Sequence, residues 1–283
     1  SDAETIEAVQ RLAGLTLTGV THEELMIFAV GGGANGKSIF SNLITHILGD
    51  YVVAAPSTLL AARRSDDSGP RSDLAMLAGA RLVSINELPG GMMLDETVTK
   101  QLAGREPITA RFLHKEFFTF QPRFTPWVRT NHRPIVKGTD DGIWRRLRIV
   151  RFGRTFSPEE QDQGLEEKLW AERAGILNWM VEGARLYLAR GLIQSAAMKR
   201  EVAQYRAASD VLGEFLAEKT TPTPTEEVPQ KELFQSWRAW CEFNGHQHGA
   251  KATFTERLAE RGHRPRKSGA KRFYMGLKMR GPT

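Results

Sequence analysis

The stretch that decides the fold begins at Leu25-Met-Ile-Phe-Ala-Val30, bends through Gly31-Gly-Gly-Ala-Asn-Gly-Lys-Ser38, and runs on from Ile39 to Gly49. The first part is a short apolar run ending in glycine, as expected of a parallel strand buried on both faces. In the last part Ile39, Phe40, Leu43, Ile44, Ile47 and Leu48 fall on one helical stripe, which Gly49 stops. Between them lies the spacing Gly31-x-x-x-x-Gly36-Lys37-Ser38. A glycine-rich bend from strand to helix lets backbone N–H groups wrap a phosphate, and the helix N-terminus adds a positive dipole end.

That context makes Gly31, Gly32, Gly33, Ala34, Asn35, Gly36, Lys37, Ser38 and Ile39 the expected nucleotide cradle. Lys37 is expected to reach the β- and γ-phosphate oxygens, and the Ser38 hydroxyl to ligate Mg²⁺, so ATP and Mg²⁺ are the expected cofactors. Such a site also needs a carboxylate at the end of a neighbouring strand. The run Arg81-Leu-Val-Ser-Ile-Asn-Glu87 supplies Glu87 as metal ligand and water-polarising group.

Working outward, residues 62–73 are polar with Gly-Pro at their centre and are expected to form a surface loop. Residues 96–104 are expected to be helical, 108–130 a hairpin feeding a third strand, 147–152 a further strand, and 158–205 two or three amphipathic helices. The Pro/Thr-rich segment 219–230 is expected to be a loop within a small domain or a linker between two. Two amphipathic helices, 231–243 and 253–261, and a glycine-centred hairpin then close the chain. The fold class is therefore α/β: a P-loop core with a parallel central sheet flanked by helices, plus a small C-terminal domain of winged-helix order. The expected divisions are 1–24, a helical segment ending an upstream region, 25–205, the core, and 206–283, the small domain.

Lys and Arg total 39 against 33 Asp and Glu, a net charge of +6 that favours a polyanionic partner. Cys241 is the only cysteine, so neither an internal disulfide nor a thiolate zinc site can form, which suits a cytoplasmic protein of a bacterial or infected host cell. No apolar run reaches the roughly 20 residues needed to cross a bilayer, so no membrane partner is expected. The chain opens on Ser1 rather than Met, and an upstream segment is expected.

From Gly31 to Phe152 the order of features resembles the superfamily III helicase module of phage- and plasmid-type primase-helicases, on an AAA+ core and akin to poxvirus replicative NTPases. The resemblance rests on GGGANGKS (31–38), LAGARLVSINELPGG (77–91), KQLAGREPITARF (100–112), WVRTNHRP (127–134) and DDGIWRRLRIVRF (140–152). It implies that Asn131 orients the attacking water or contacts the γ-phosphate. It implies too that Arg146, with Arg145 pairing or helping, is given to a neighbouring subunit's site as an arginine finger. A finger in trans implies a homo-oligomeric ring, in this family usually a hexamer.

The family's pore hairpin would be 110–120, with His114 and Lys115 at its tip beside Arg111, while Phe112, Phe117 and Phe118 are expected to be hairpin core. The basic wing residues Arg264, Arg266, Lys267, Lys271 and Arg272 are expected to meet duplex phosphates or the minor groove. Partners so implied are single-stranded and forked DNA and an upstream primase domain. The activity implied is an ATP-dependent DNA helicase; the alternative is an ATP-switched initiator or loader that binds DNA without unwinding it. Three positions depart from the family pattern: Asn86 where a second acid is common, Arg105-Glu106 in place of Gly-Asp, and Arg129 where a small or apolar residue is usual.

Overall fold

The computed structural model describes residues 2–62, 71–137, 141–269 and 271–281. Most of the expected polar loop at 62–73 lies outside them. The chain divides into two compact units, Ser1–Ser209 and Asp210–Thr283.

The first unit begins with α1 (Ala3–Thr18), capped by Asp2, whose side chain accepts from Glu4 N. It continues through β1 (Met26–Val30), α2 (Lys37–Leu48), β2 (Val52–Ala55), α3 (Ser72–Ala75), β3 (Leu82–Asn86) and α4 (Glu96–Ala103). A hairpin of β4 (Ile108–Ala110) and β5 (Phe118–Phe120) leads to β6 (Thr125–Thr130), α5 (Asp141–Trp144) and β7 (Leu147–Arg151). Three helices finish it: α6 (Leu165–Ala171), α7 (Arg173–Arg190) and α8 (Ala196–Ser209).

Five strands make a parallel sheet in the order β2-β3-β6-β1-β7. Strand β1 is buried throughout, as its unbroken apolar run requires. One face of the sheet packs Phe28, Val83, Ile85, Val128 and Ile149 against α4 and α8; the other packs Ile27, Trp127 and Val150 against α1, α2 and α7. Edge strand β2 follows α2 through one turn of 3-10 helix and is too short to show a period in the sequence.

Helix α1 does not stand apart as an upstream remnant; it is built into this unit. A Cβ on Gly14 would come within 2.0 Å of Ala184 N, and one on Gly183 within 2.1 Å of the Gln10 carbonyl oxygen. The α1 and α7 backbones therefore touch.

The second unit contains α9 (Val211–Lys219), β8 (Thr220–Pro229), α10 (Gln230–Phe243), α11 (Lys251–Glu260), β9 (Pro265–Ser268) and β10 (Lys271–Met279). Its core gathers Phe215, Trp237, Trp240, Phe254, Leu258 and Tyr274. The segment expected to be a loop or linker is mostly strand β8, at the edge of an antiparallel sheet ordered β8-β10-β9. Its prolines are tolerated because an edge strand leaves one side of its backbone unpaired.

Candidate nucleotide site

Parallel strands point all their C-terminal ends one way, and such ends are where α/β sheets bind ligands. Val30, Asn86 and Thr130 end β1, β3 and β6 side by side, joined by Gly31 N–H to Thr130 O at 3.4 Å and Glu87 N–H to Arg129 O at 2.8 Å. The turn from β1 into α2 thus lies beside Glu87 and Asn131. A cleft of about 280 Å³ is lined by residues 32–39 together with Glu87, Arg129, Thr130 and Asn131.

Gly31 is required by close approach: an added Cβ would sit 2.3 Å from the Phe152 carbonyl oxygen. Ala34 and Gly36 take left-handed conformations, φ +52° and +79°, which curl the loop. Asn35 is a buckle rather than a free contact. Its Nδ2 donates to Gly32 O at 2.6 Å and Phe152 O at 3.1 Å, while its Oδ1 accepts from Lys37 N at 3.2 Å. The N-cap of α2, Gly36, has no side chain to offer, so beyond the Lys37 N–H taken by Asn35 the positive end of the helix is left uncapped.

Lys37 is buried, and its Nζ donates to Asn131 Oδ1 at 2.8 Å. Its pKa is lowered from 10.5, first by burial and then by the neighbouring Arg129, with Glu87 pulling the other way. Glu87 is solvent-exposed and held at φ +56°, so the strand end turns sharply at the carboxylate. Ser38 is exposed at the mouth of the loop. A hydroxyl and one carboxylate suit a hard cation that keeps most of its waters, as Mg²⁺ does. Among the described residues no group of three or more His, Cys, Asp or Glu converges, here or elsewhere.

Behind Asn131 the chain is braced by α8. Glu201 binds Arg133, and also Arg151 at 3.0 Å, and the Tyr205 hydroxyl donates to Pro134 O. Burial drives the Tyr205 hydroxyl well above its ordinary pKa, so it stays a donor.

The paired arginines lie at the other edge of the sheet. Arg146 O accepts from Met26 N at the start of β1, and the five residues of that strand put Gly31 about 17 Å further along at ~3.3 Å per residue. Arg146, only 12% exposed, is tied to Glu24 Oε2 at 2.7 Å and to Gly142 O at 2.6 Å. Arg145, 64% exposed, touches Glu24 at 3.2 Å. Glu24 also lies 3.8 Å from Arg105, so one carboxylate faces three guanidinium groups. Of the pair, Arg145 is the more exposed, although the expectation from sequence favoured Arg146 as the finger.

The hairpin tip also differs from expectation. His114, at φ +59°, and Lys115 are exposed as anticipated. Phe112 and Phe117, expected in the hairpin core, are 46% and 63% exposed; Phe118 alone of the three packs against the core. The Arg111 guanidinium sits 4.5 Å over the Phe117 ring. In the second unit Arg264, Arg266, Lys267, Lys271 and Arg272 are all exposed. Arg272 lies directly across from Lys267, a like-charge pair that an anionic partner would relieve.

Residues 29–146 match a family of unknown function (DUF5906), and residues 207–268 match the Poxvirus D5 protein-like family. Across 262 residues the chain is 28% identical to an Acanthamoeba polyphaga mimivirus protein named "Putative helicase", covering 86% of this chain and 27% of that protein. Over 243 residues it is 26% identical to an African swine fever virus protein named "Putative primase", covering 78% of this chain and 25% of that protein. The fold matches the apo C-terminal region of NrS-1 with TM-score 0.57 and 13% identity, over 98% of this chain and 72% of that one. This chain resembles superfamily III-like primase-helicases. It spans about a quarter of the length of the viral relatives it matches. Arg129, Asn42 and Glu24 were not assigned from sequence. An arginine interrupting the apolar run Trp127-Val128 was the one signal available.

Proposed function

We propose that this chain is the ATP-driven motor of a DNA replication protein, a helicase that hydrolyses ATP between protomers and moves along single-stranded DNA. The observation that carries the reading is the gathering of Lys37, Ser38, Glu87 and Asn131 around one loop at the C-terminal edge of the sheet. Residues 31–38 form the P-loop. Lys37 leaves Asn131 for the β- and γ-phosphates, and Asn131 then turns to the attacking water. Glu87 takes a proton from that water as its oxygen bonds to the γ-phosphorus and the bond to the ADP oxygen breaks. Mg²⁺, held by Ser38 and Glu87, would neutralise charge on the phosphates.

The arginines stand at the wrong end of the sheet to serve their own cleft. They serve a neighbour's, with Arg145 reaching across and Arg146 anchoring it through Glu24. A second copy fits the face of α7, where Leu177, Val181 and Leu188 form one exposed apolar stripe. The hairpin tip would meet the strand, Lys115 at phosphate and Phe117 stacking on a base. The second unit, read as a winged-helix-like domain, would hold duplex through its basic hairpin.

Forked-DNA strand displacement with ATP tests the reading. Wild type unwinds; Lys37→Ala and Arg145→Ala each abolish turnover, and mixing the two restores part of it. Turnover without displacement at any protein concentration would favour a loader that binds DNA and does not unwind it. Failure of the mixed subunits to regain activity would remove Arg145 from the neighbouring site.

A further inference from the structure

The catalytic reading leaves Arg129 without a task, although it is built into the same cleft. It sits in β6 between Ala29 of β1 and Asn86 of β3, and its carbonyl accepts the Glu87 N–H at 2.8 Å. Its backbone is therefore fixed relative to the carboxylate. Its side chain, half-buried, lines the cleft with Lys37, Glu87 and Asn131, and Nη1 donates to Asn42 Oδ1 on α2 at 3.1 Å.

The charges of the lining do not balance. Among the described residues two cations, Lys37 and Arg129, face one carboxylate, Glu87. Both cations rest on neutral amide oxygens: Lys37 on Asn131, Arg129 on Asn42. A phosphate oxygen adds opposite-charge attraction and bidentate geometry that a neutral amide lacks, so it outcompetes either amide. A diphosphate can be satisfied by Lys37 and the start of α2. What a triphosphate adds is one more phosphoryl group, and Arg129 is the remaining cation of the cleft among the described residues.

We propose that Arg129 reads the terminal phosphate, leaving Asn42 for a γ-phosphate oxygen and so making the cleft distinguish triphosphate from diphosphate. This rests on the nucleotide reading of the same site. Asn42 is the resting partner, and its Nδ2 donates to Glu166 Oε1 on α6 at 3.2 Å. The exchange would free the α2 end of a contact that continues to α6.

Calorimetric titration of the full chain with ADP and with the non-hydrolysable triphosphate AMPPNP, both with Mg²⁺, tests this. Arg129→Ala is expected to weaken AMPPNP binding at least tenfold and ADP binding less than twofold. Asn42→Ala, which removes the resting partner, is expected to leave AMPPNP affinity unchanged or raise it. Lys37→Ala loses both ligands. Should Arg129→Ala fail to fold, Arg129→Gln, which keeps an amide donor for Asn42, gives the same comparison. Equal losses for the two nucleotides, or no loss for either, would overturn the proposal. Wild type binding neither nucleotide would instead overturn the nucleotide reading on which it rests.

Discussion

Lys37 is a buried ammonium group whose recorded acceptor is a neutral amide, and that has a measurable consequence. Its folded-state pKa lies below 10.5 because burial, and then Arg129, disfavour the charged form. The unliganded chain therefore loses stability as pH falls below 10.5, since the unfolded lysine takes up the proton more readily. On the proposed reading, a bound triphosphate would raise the pKa again. Nucleotide binding is thus expected to take up protons on the alkaline side, and affinity to fall as pH rises through the lowered value. Titrations in two buffers of different ionisation enthalpy would show it; proton release on binding would contradict it.

Glu87 gives a second outcome at the residue scale. A side chain at φ +56° costs roughly 1–2 kcal/mol relative to glycine. Glu87→Gly is expected to abolish turnover yet leave thermal stability equal or higher, a comparison made by melting curve and ATPase assay. The strand–loop–helix course of residues 26–48 was legible in sequence because its pattern is fixed by backbone geometry. Arg129 and Glu24 were not, because a lone charge at a strand end or in a loop carries no period. Which of Arg145 and Arg146 is exposed depends on Glu24, more than a hundred residues away in the chain.

Among the elements, α1 and α7 meet through two glycines, and no sequence pattern announces such a crossing. Gly183→Ala places a Cβ 2.1 Å from the Gln10 carbonyl, so the helices must separate. The expected cost is about 1–3 kcal/mol, typical of overpacking, read from the midpoint of urea unfolding with the m-value unchanged. Strands β1 and β3 were readable as buried apolar runs, and α2 as an amphipathic stripe. Strand β8 was not: three prolines, Pro222, Pro224 and Pro229, argue locally for a linker, and only pairing with β10 overrides them. The hairpin between β4 and β5 was foreseen in place but not in surface, since exposure of Phe112 and Phe117 depends on how few residues its short strands pair.

For the whole molecule, the second unit has its own core and its own sheet. A fragment of residues 210–283 is expected to fold alone and bind duplex DNA, with affinity falling steeply as salt rises. Replacing Arg272 by alanine should lower the slope of log affinity against log salt by about one. A slope unaltered by that change would remove the basic hairpin from the interface. No helix among the described residues is long and apolar enough to cross a membrane.

On the proposed reading, a strand only five residues long separates what each protomer receives from what it gives. The glycine loop at one end waits for help, and Arg145 at the other supplies it to someone else. Solitary chains would then sit loaded and idle, and specific activity would climb with concentration until neighbours are always present. Unproductive consumption of fuel away from the replication fork would be prevented by geometry alone, with no separate inhibitor.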